Sequence, residues 1–392
     1  MNIEDQNNEL QNRIKAKEKH LDKIRGCLFA GAVGDALGYS VEFFTESMIF
    51  DIYGEGGIRE YELRDNRKAI ISDDTQMTLF TANGLLYAQT MRCLHGSEAP
   101  PRVYAAKAYL DWFKTQAFDY NEVKRANTDS PCISWLCNLP ELYSRRAPGG
   151  TCLSALANFR QRDDYISAKI NNSKGCGGVM RIAPVALKES KSIEELDMEA
   201  AQIAAITHGH SLGYMTAAVL VHLINRIIFG VQDSTLKQIV IEARDTVYNL
   251  FHDDEHIKEL TSIIDLAIEL SENNNPDLEN IHRLGEGWVA EETLAIAIYC
   301  SLKYQDDFSS GIIAAVNHKG DSDSTGAVTG NILGAVLGYG AIEDKWKKDL
   351  ELSDIILEIA DDLCHGCQMS EHSSYRDEDW LRKYVYIEKP VK

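Results

Sequence analysis

Two stripes of small residues constrain this chain more than any other feature. Gly26, Ala30, Gly34 and Gly38 recur at every fourth position, and so do Gly326, Gly330, Gly334 and Gly338. Residues four apart share one face of a helix. Glycine costs a helix roughly 1 kcal/mol against alanine, so a whole face of it needs a compensating reason. That reason is space: a face without side chains lets a second backbone come very close. The pattern predicts two helices packed tightly near the centre of the fold. It also brings Asp35 and Glu42 of the first toward Asp321 and Asp323 of the second.

Two acidic stretches accompany these helices. Ser72-Asp73-Asp74-Thr75 and Gly320-Asp321-Ser322-Asp323-Ser324-Thr325-Gly326 each set two carboxylates among hydroxyls, and a long apolar, helix-like run follows each. Asp and Ser are common helix N-caps, and one such stretch alone would be read that way. Two together point to hard divalent cations such as Mg²⁺ and Mn²⁺, which take oxygen ligands and charged carboxylates above all.

The remaining sequence sets the bounds. There are 392 residues, 44% hydrophobic and 26% charged, which is ample for a large core. Helical spacing runs from Thr75 to about Gln89 and through Leu212–Phe229, and residues 339–364 read as one surface helix. Residues 45–71 read as a loop. No strand pattern, internal repeat or linker interrupts, so the expected fold is one all-α domain over residues 21–392. Residues 1–20 form a polar N-terminal arm. No run reads as apolar and long enough to span a bilayer. A net charge of −20 argues against nucleic acid as a partner. Nine irregularly spaced cysteines read as free thiols in a reducing compartment, hence a cytoplasmic protein. Cys364-His365-Gly366-Cys367 has no second Cys pair and reads as a helix end. Gly175-Cys176-Gly177-Gly178 precedes an apolar run, where backbone N–H groups can cradle a diphosphate, with Arg181 nearby.

Five short motifs then fall in one order. They are Gly34-Asp35-Ala36-Leu37-Gly38 with Glu42-Phe43, Ser72 to Thr75, Gly175 to Arg181, Thr207-His208, and Gly320 to Thr325. Together, over about residues 24–340, they resemble the ADP-ribosylglycohydrolase family. The resemblance implies an all-α domain with a binuclear metal site that hydrolyses the bond from ADP-ribose to an acceptor on a protein. It implies that Ser72, Asp73, Asp74, Asp321, Asp323 and Ser324 hold two divalent cations, Mg²⁺ or Mn²⁺. Many members carry Thr where this chain has Ser72 and Ser324, and a serine oxygen still ligates. It implies catalytic roles for Asp74, Asp321 and Glu42, and substrate contacts from Ser173, Gly175, Cys176, Gly177, Gly178 and His208. The second acidic stretch and Ala147-Pro148-Gly149-Gly150 look closer to hydrolases of ADP-ribosylarginine, an N-glycosidic bond, than to the serine type. A second expectation, compatible with the first, is an immunity protein whose arm blocks an ADP-ribosyltransferase toxin.

Overall fold

The computed structural model describes residues 3–64, 66–126, 131–230 and 233–388, with side chains from residue 15 onward in the first helix. Eighteen α-helical segments carry these residues, and no named strand occurs among them. The first half contains α1 (Ile3–Gly38), α2 (Glu46–Tyr53), α3 (Asp73–His95), α4 (Pro101–Ala117), α5 (Tyr120–Ala126), α6 (Gly150–Ala157), α7 (Tyr165–Ala168), α8 (Ile193–Ala205) and α9 (Ser211–Phe229). The second contains α10 (Leu236–Leu250), α11 (Ile257–Ser271), α12 (Asp277–Leu284), α13 (Ala290–Lys303), α14 (Phe308–Val316), α15 (Ser322–Leu337), α16 (Asp344–Lys347), α17 (Ser353–His365) and α18 (Glu378–Tyr384).

Helices α1 and α15 pack antiparallel through their glycine faces. A Cβ on Gly26, Gly34 or Gly38 would come closer than 3.0 Å to the carbonyls of Gly334, Gly326 and Ser322 respectively. From the other side, a Cβ on Gly330 would strike the Ala30 carbonyl at the same unattainable range. Asn331 seals the seam by donating to the Cys27 carbonyl at 2.8 Å. Around this pair stand α3, α9, α13, α14 and α17. The register sets the site: the end of α1 meets the start of α15, so the chain leaving Gly38 passes over Asp321 and Asp323.

Several expectations need correction. The polar arm and the domain share one helix, α1, which is continuous from Ile3. Residues 15–19 are exposed, as a polar arm should be, and the side chains of residues 3–14 lie outside the described residues. The expected loop at 45–71 contains α2, capped by Thr45. The segment from Tyr339 to Cys364 is broken rather than one surface helix, because Trp346 turns inward to 1% exposure and Tyr61 donates to its carbonyl. One helix, Ser211–Phe229, is in fact long and apolar enough to cross a membrane. Here nearly all of it is buried, and it serves as a core helix.

Candidate active site

The N-termini of α3 and α15 face each other beneath the turn that ends α1. Asp35, one turn before the end of α1, starts the construction. Its carboxylate accepts the Ser72 N–H at 2.9 Å, the Thr75 N–H at 3.1 Å and the Thr75 hydroxyl. A buried helix start leaves N–H groups that need acceptors, and here α1 supplies them to α3. Ser72 completes the cap by accepting the Asp74 N–H at 3.1 Å. Asp73 is fixed through its own N–H to the Arg146 carbonyl and accepts the Gly149 N–H at 3.3 Å. Opposite, Asp321 caps α15 and takes its position from the Glu286 carbonyl, at 2.8 Å from its N–H. Ser324 donates its hydroxyl to Asp74 Oδ2 at 2.8 Å. The two acidic stretches are therefore joined directly.

Glu42 closes the group from above. One oxygen each from Glu42, Asp321 and Asp323 lie within 4.8 Å of one another. Glu42 is buried, and its Oε2 has no hydrogen-bond partner. Burial, then the charge of Asp323, pushes its carboxyl up to about 10. The same two causes, in that order, raise Asp73, Asp74 and Asp321 well above the usual carboxylate range. Asp35 is lifted to about 7 by burial and by Asp323, against the hydrogen bonds from Thr75 and Ser72. Buried carboxylates are ordinarily paired, yet among the described residues no Lys or Arg lines this cleft. Oxygen donors, an orphaned buried carboxylate oxygen and an uncompensated negative charge fit hard divalent cations.

The cleft has a volume of about 350 Å³. Its second wall is Ala147–Cys152 together with Gly175, Cys176 and Gly177. Gly177 is pressed against the His208 ring and the Cys152 sulfur, leaving no room for a side chain. Cys176 donates its thiol to Asp321 Oδ2 at 2.8 Å, which links this wall to the acidic cluster. Burial holds that thiol protonated, reinforced by Asp321. His208 lines the cleft, and its Nδ1 bonds the Thr207 hydroxyl at 2.8 Å. Burial, then Arg181, lowers it to about 3, so the ring is neutral.

Not every expected residue faces the cleft. Ser173 stands one layer back, its hydroxyl 3.0 Å from that of Thr151. Gly178 turns toward the Gly213 carbonyl of α9. Arg181 is no part of a diphosphate cradle. It is fully buried, donates to the Thr207 hydroxyl at 2.6 Å and to the Cys152 sulfur at 3.3 Å, and lies over the Tyr109 ring. Gly285 and Gly287 take positive φ angles in the turn that presents Trp288. Sequence reasoning missed Trp288, Phe43 and Met180 as lining residues. No metal-ligand cluster forms at Cys364 and Cys367 among the described residues; a group at Asp111, Cys132 and Cys137 already holds the Lys114 ammonium, 3.0 Å from Asp111.

Known proteins resemble this chain along most of its length. A family model described as ADP-ribosylglycohydrolase matches residues 16–373. The chain is 24% identical over 341 residues to the ADP-ribosyl-[dinitrogen reductase] glycohydrolase of Rhodospirillum rubrum, covering 84% of this chain and 91% of that one. It is 22% identical over 350 residues to the ADP-ribosylarginine hydrolase Tri1 of Serratia proteamaculans, covering 88% and 80%. A solved structure titled ADP-ribosylglycohydrolase-related protein complex superposes with a TM-score of 0.55 at 23% identity, over 89% of this chain and 99% of that chain. That last likeness concerns the fold.

Proposed function

We propose a specific reaction from the premise that this chain belongs to the ADP-ribosylglycohydrolase family. The family membership makes it a glycosidic-bond hydrolase acting on ADP-ribosyl groups, and a metal-dependent one. The finer reading is removal of ADP-ribose from an arginine side chain of a protein, with Mg²⁺ or Mn²⁺ at the acidic cluster. The observation that carries it is the Glu42 carboxylate, its Oε2 buried and unpartnered and one oxygen within 4.8 Å of Asp321 and Asp323, in a cleft that no Lys or Arg lines among the described residues.

In this reading Asp73, Asp74, Asp321, Asp323 and Ser324 hold two divalent cations, with Ser72 contributing as cap and neighbour. When bound, such ions act as Lewis acids toward ribose oxygens. The protein groups do the rest. The Gly175–Gly177 loop approaches the diphosphate with the Gly177 N–H, since the N–H groups of Gly175 and Cys176 already bond the Ser173 hydroxyl and the Trp288 carbonyl. Neutral His208 supports that loop and offers a ring nitrogen without adding charge. Ser173 and Gly178 act through the loop from behind. The anomeric C–N bond breaks with its electron pair going to nitrogen, and the water oxygen bonds to the anomeric carbon. Glu42, which bound cations would return to its carboxylate form, takes the water proton at Oε2, and Asp74 and Asp321 adjoin it. The cleavage leaves a neutral guanidine, which takes up that proton and departs as a guanidinium, favoured by the acidic cleft and by a net charge of −20. The name of the Serratia relative carries the same acceptor. No disulfide joins any of the nine cysteines among the described residues, which suits a cytoplasmic enzyme.

We take residues 21–392 as the hydrolase domain and residues 1–20 as its extension. A blocking arm would rest on side chains outside the described residues, so the reading is kept to hydrolysis. Arginine-linked and serine-linked ADP-ribosyl peptides, compared at equal enzyme and saturating Mg²⁺ or Mn²⁺, provide the test. Faster release from arginine is expected. Faster release from serine would overturn the acceptor while leaving the family in place.

A further inference from the structure

Phe43 and Trp288 stand at the mouth of the cleft, 69% and 41% exposed. Large apolar side chains held in water beside a functional cleft invite an occupant. The two rings face each other, 6.3 Å between centroids and 26° from parallel. Their backbones belong to fixed elements. Phe43 follows Glu42 in the turn that closes α1, so a residue facing in and a residue facing out alternate there. The Trp288 carbonyl accepts the Cys176 N–H at 3.3 Å, and Val289 bridges Gly175. Glu286, two residues before Trp288, holds the Lys319 ammonium at 2.9 Å.

We propose that Phe43 and Trp288 form an aromatic clamp on the guanidinium of the acceptor arginine. This rests on the arginine reading above and assigns the residues that would make it. Carbon contact distances of about 3.5–4 Å on each face call for roughly 7–8 Å between two rings with a flat group between them. Small rotations of two exposed side chains open the pair to that gap. The π-faces attract cations, and a guanidinium is a planar cation that stacks well. Glu42 and Asp321 lie just below, and no Lys or Arg lines the cleft to oppose the charge. A seryl acceptor offers neither plane nor charge, so the clamp discriminates between linkages. Adenine is the competing planar occupant. It is neutral, gains less from this acidic surround, and stays on the product, whereas the guanidinium does not.

That difference supplies the experiment. Phe43→Ala, Trp288→Ala, the double variant and the ring-preserving Trp288→Phe are assayed on an arginine-linked ADP-ribosyl peptide. Free ADP-ribose binding is measured on the same proteins by calorimetry. Each alanine variant should lose on the order of fivefold in kcat/KM, mostly through KM, and the double variant roughly 20-fold. Trp288→Phe should keep most of the activity. ADP-ribose affinity should stay within about twofold throughout. A parallel loss of ADP-ribose affinity would show that the rings hold adenine and overturn the clamp. Unchanged kcat/KM in the double variant would overturn it as well. A wild-type enzyme inactive on the arginine peptide would strike down the acceptor assignment itself, a result distinct from the other two. Both side chains are exposed, so thermal melts of the variants should match the wild type.

Discussion

The Ser324 hydroxyl donates to Asp74 Oδ2 at 2.8 Å, across 250 residues of chain. This one bond holds the two acidic stretches in register. Ser324→Ala should weaken Mn²⁺ binding about 10- to 100-fold, the usual effect of removing a group that orients or joins a metal's ligands. Ser324→Thr keeps the hydroxyl and should bind within a few-fold of wild type. Calorimetric titration with Mn²⁺ checks both, and equal affinity in Ser324→Ala would refute a role for this hydroxyl.

Asp323 is the main charged neighbour raising Glu42, Asp73, Asp74 and Asp321. Asp323→Asn should therefore raise the melting temperature of the cation-free protein, because one buried like charge is gone. The stabilisation by cations should shrink at the same time. At a hundredfold excess over Kd that gain is about 2.7 kcal/mol for a single site in the wild type. Melts with and without Mg²⁺ or Mn²⁺ read both effects, and a variant that is less stable without cations would contradict the electrostatic account.

The helix seam makes a third prediction. Gly330→Ala adds a Cβ that the Ala30 carbonyl has no room for. The substitution should destabilise by about 1–3 kcal/mol, the overpacking cost, despite the roughly 1 kcal/mol that alanine returns to an isolated helix. Gly150→Ala meets nothing within 4 Å and should stay within about 0.5 kcal/mol. Denaturant unfolding of the two variants decides, and a Gly330→Ala protein as stable as wild type would refute backbone-to-backbone packing.

His208 gives a pH dependence with a definite sign. Its folded value falls from 6.5 to about 3, through burial first and Arg181 second. Above pH 6.5 the ring is neutral in both states and the group contributes nothing. As pH falls below 6.5 the unfolded chain takes the proton and the folded one does not, so stability drops until about pH 3. Between pH 6.5 and 5 this amounts to about 2 kcal/mol. His208→Gln should lose correspondingly less stability over that interval. Parallel slopes for the two proteins would show that the ring accepts its proton in place.

The sequence and the structure agree where a pattern carries its own physical reason. Gly26, Gly34, Gly330 and Gly334 are legible because a glycine face has few uses apart from close approach. The acid pairs at Asp73-Asp74 and Asp321–Asp323 are legible for a similar reason, since such density of charge needs a counter-ion. Arg181 was misread because a cation beside a glycine loop looks the same whether it points into the cleft or away from it. The sign of that choice is set by Thr207, Cys152 and Tyr109, which lie elsewhere in the chain. Phe43 and Trp288 were passed over because an aromatic residue reads as core until its exposure is seen. Asp35 looked like one more acid; its work as an acceptor for the start of α3 appears only once α1 and α3 are placed together.

The antiparallel seam between α1 and α15 has a consequence for how the protein is made. Synthesis proceeds from the N-terminus, and α1 leaves the ribosome almost 300 residues before the helix that covers its glycine face. Until Gly326, Gly330 and Gly334 arrive, that face has nothing to pack against, and Asp73 and Asp74 have no opposing acids. On the reading proposed above, a nascent chain stopped before residue 322 carries one half of the cation site and no activity. On the same reading, the enzyme cannot act on its targets until α15 has been made and packed against α1.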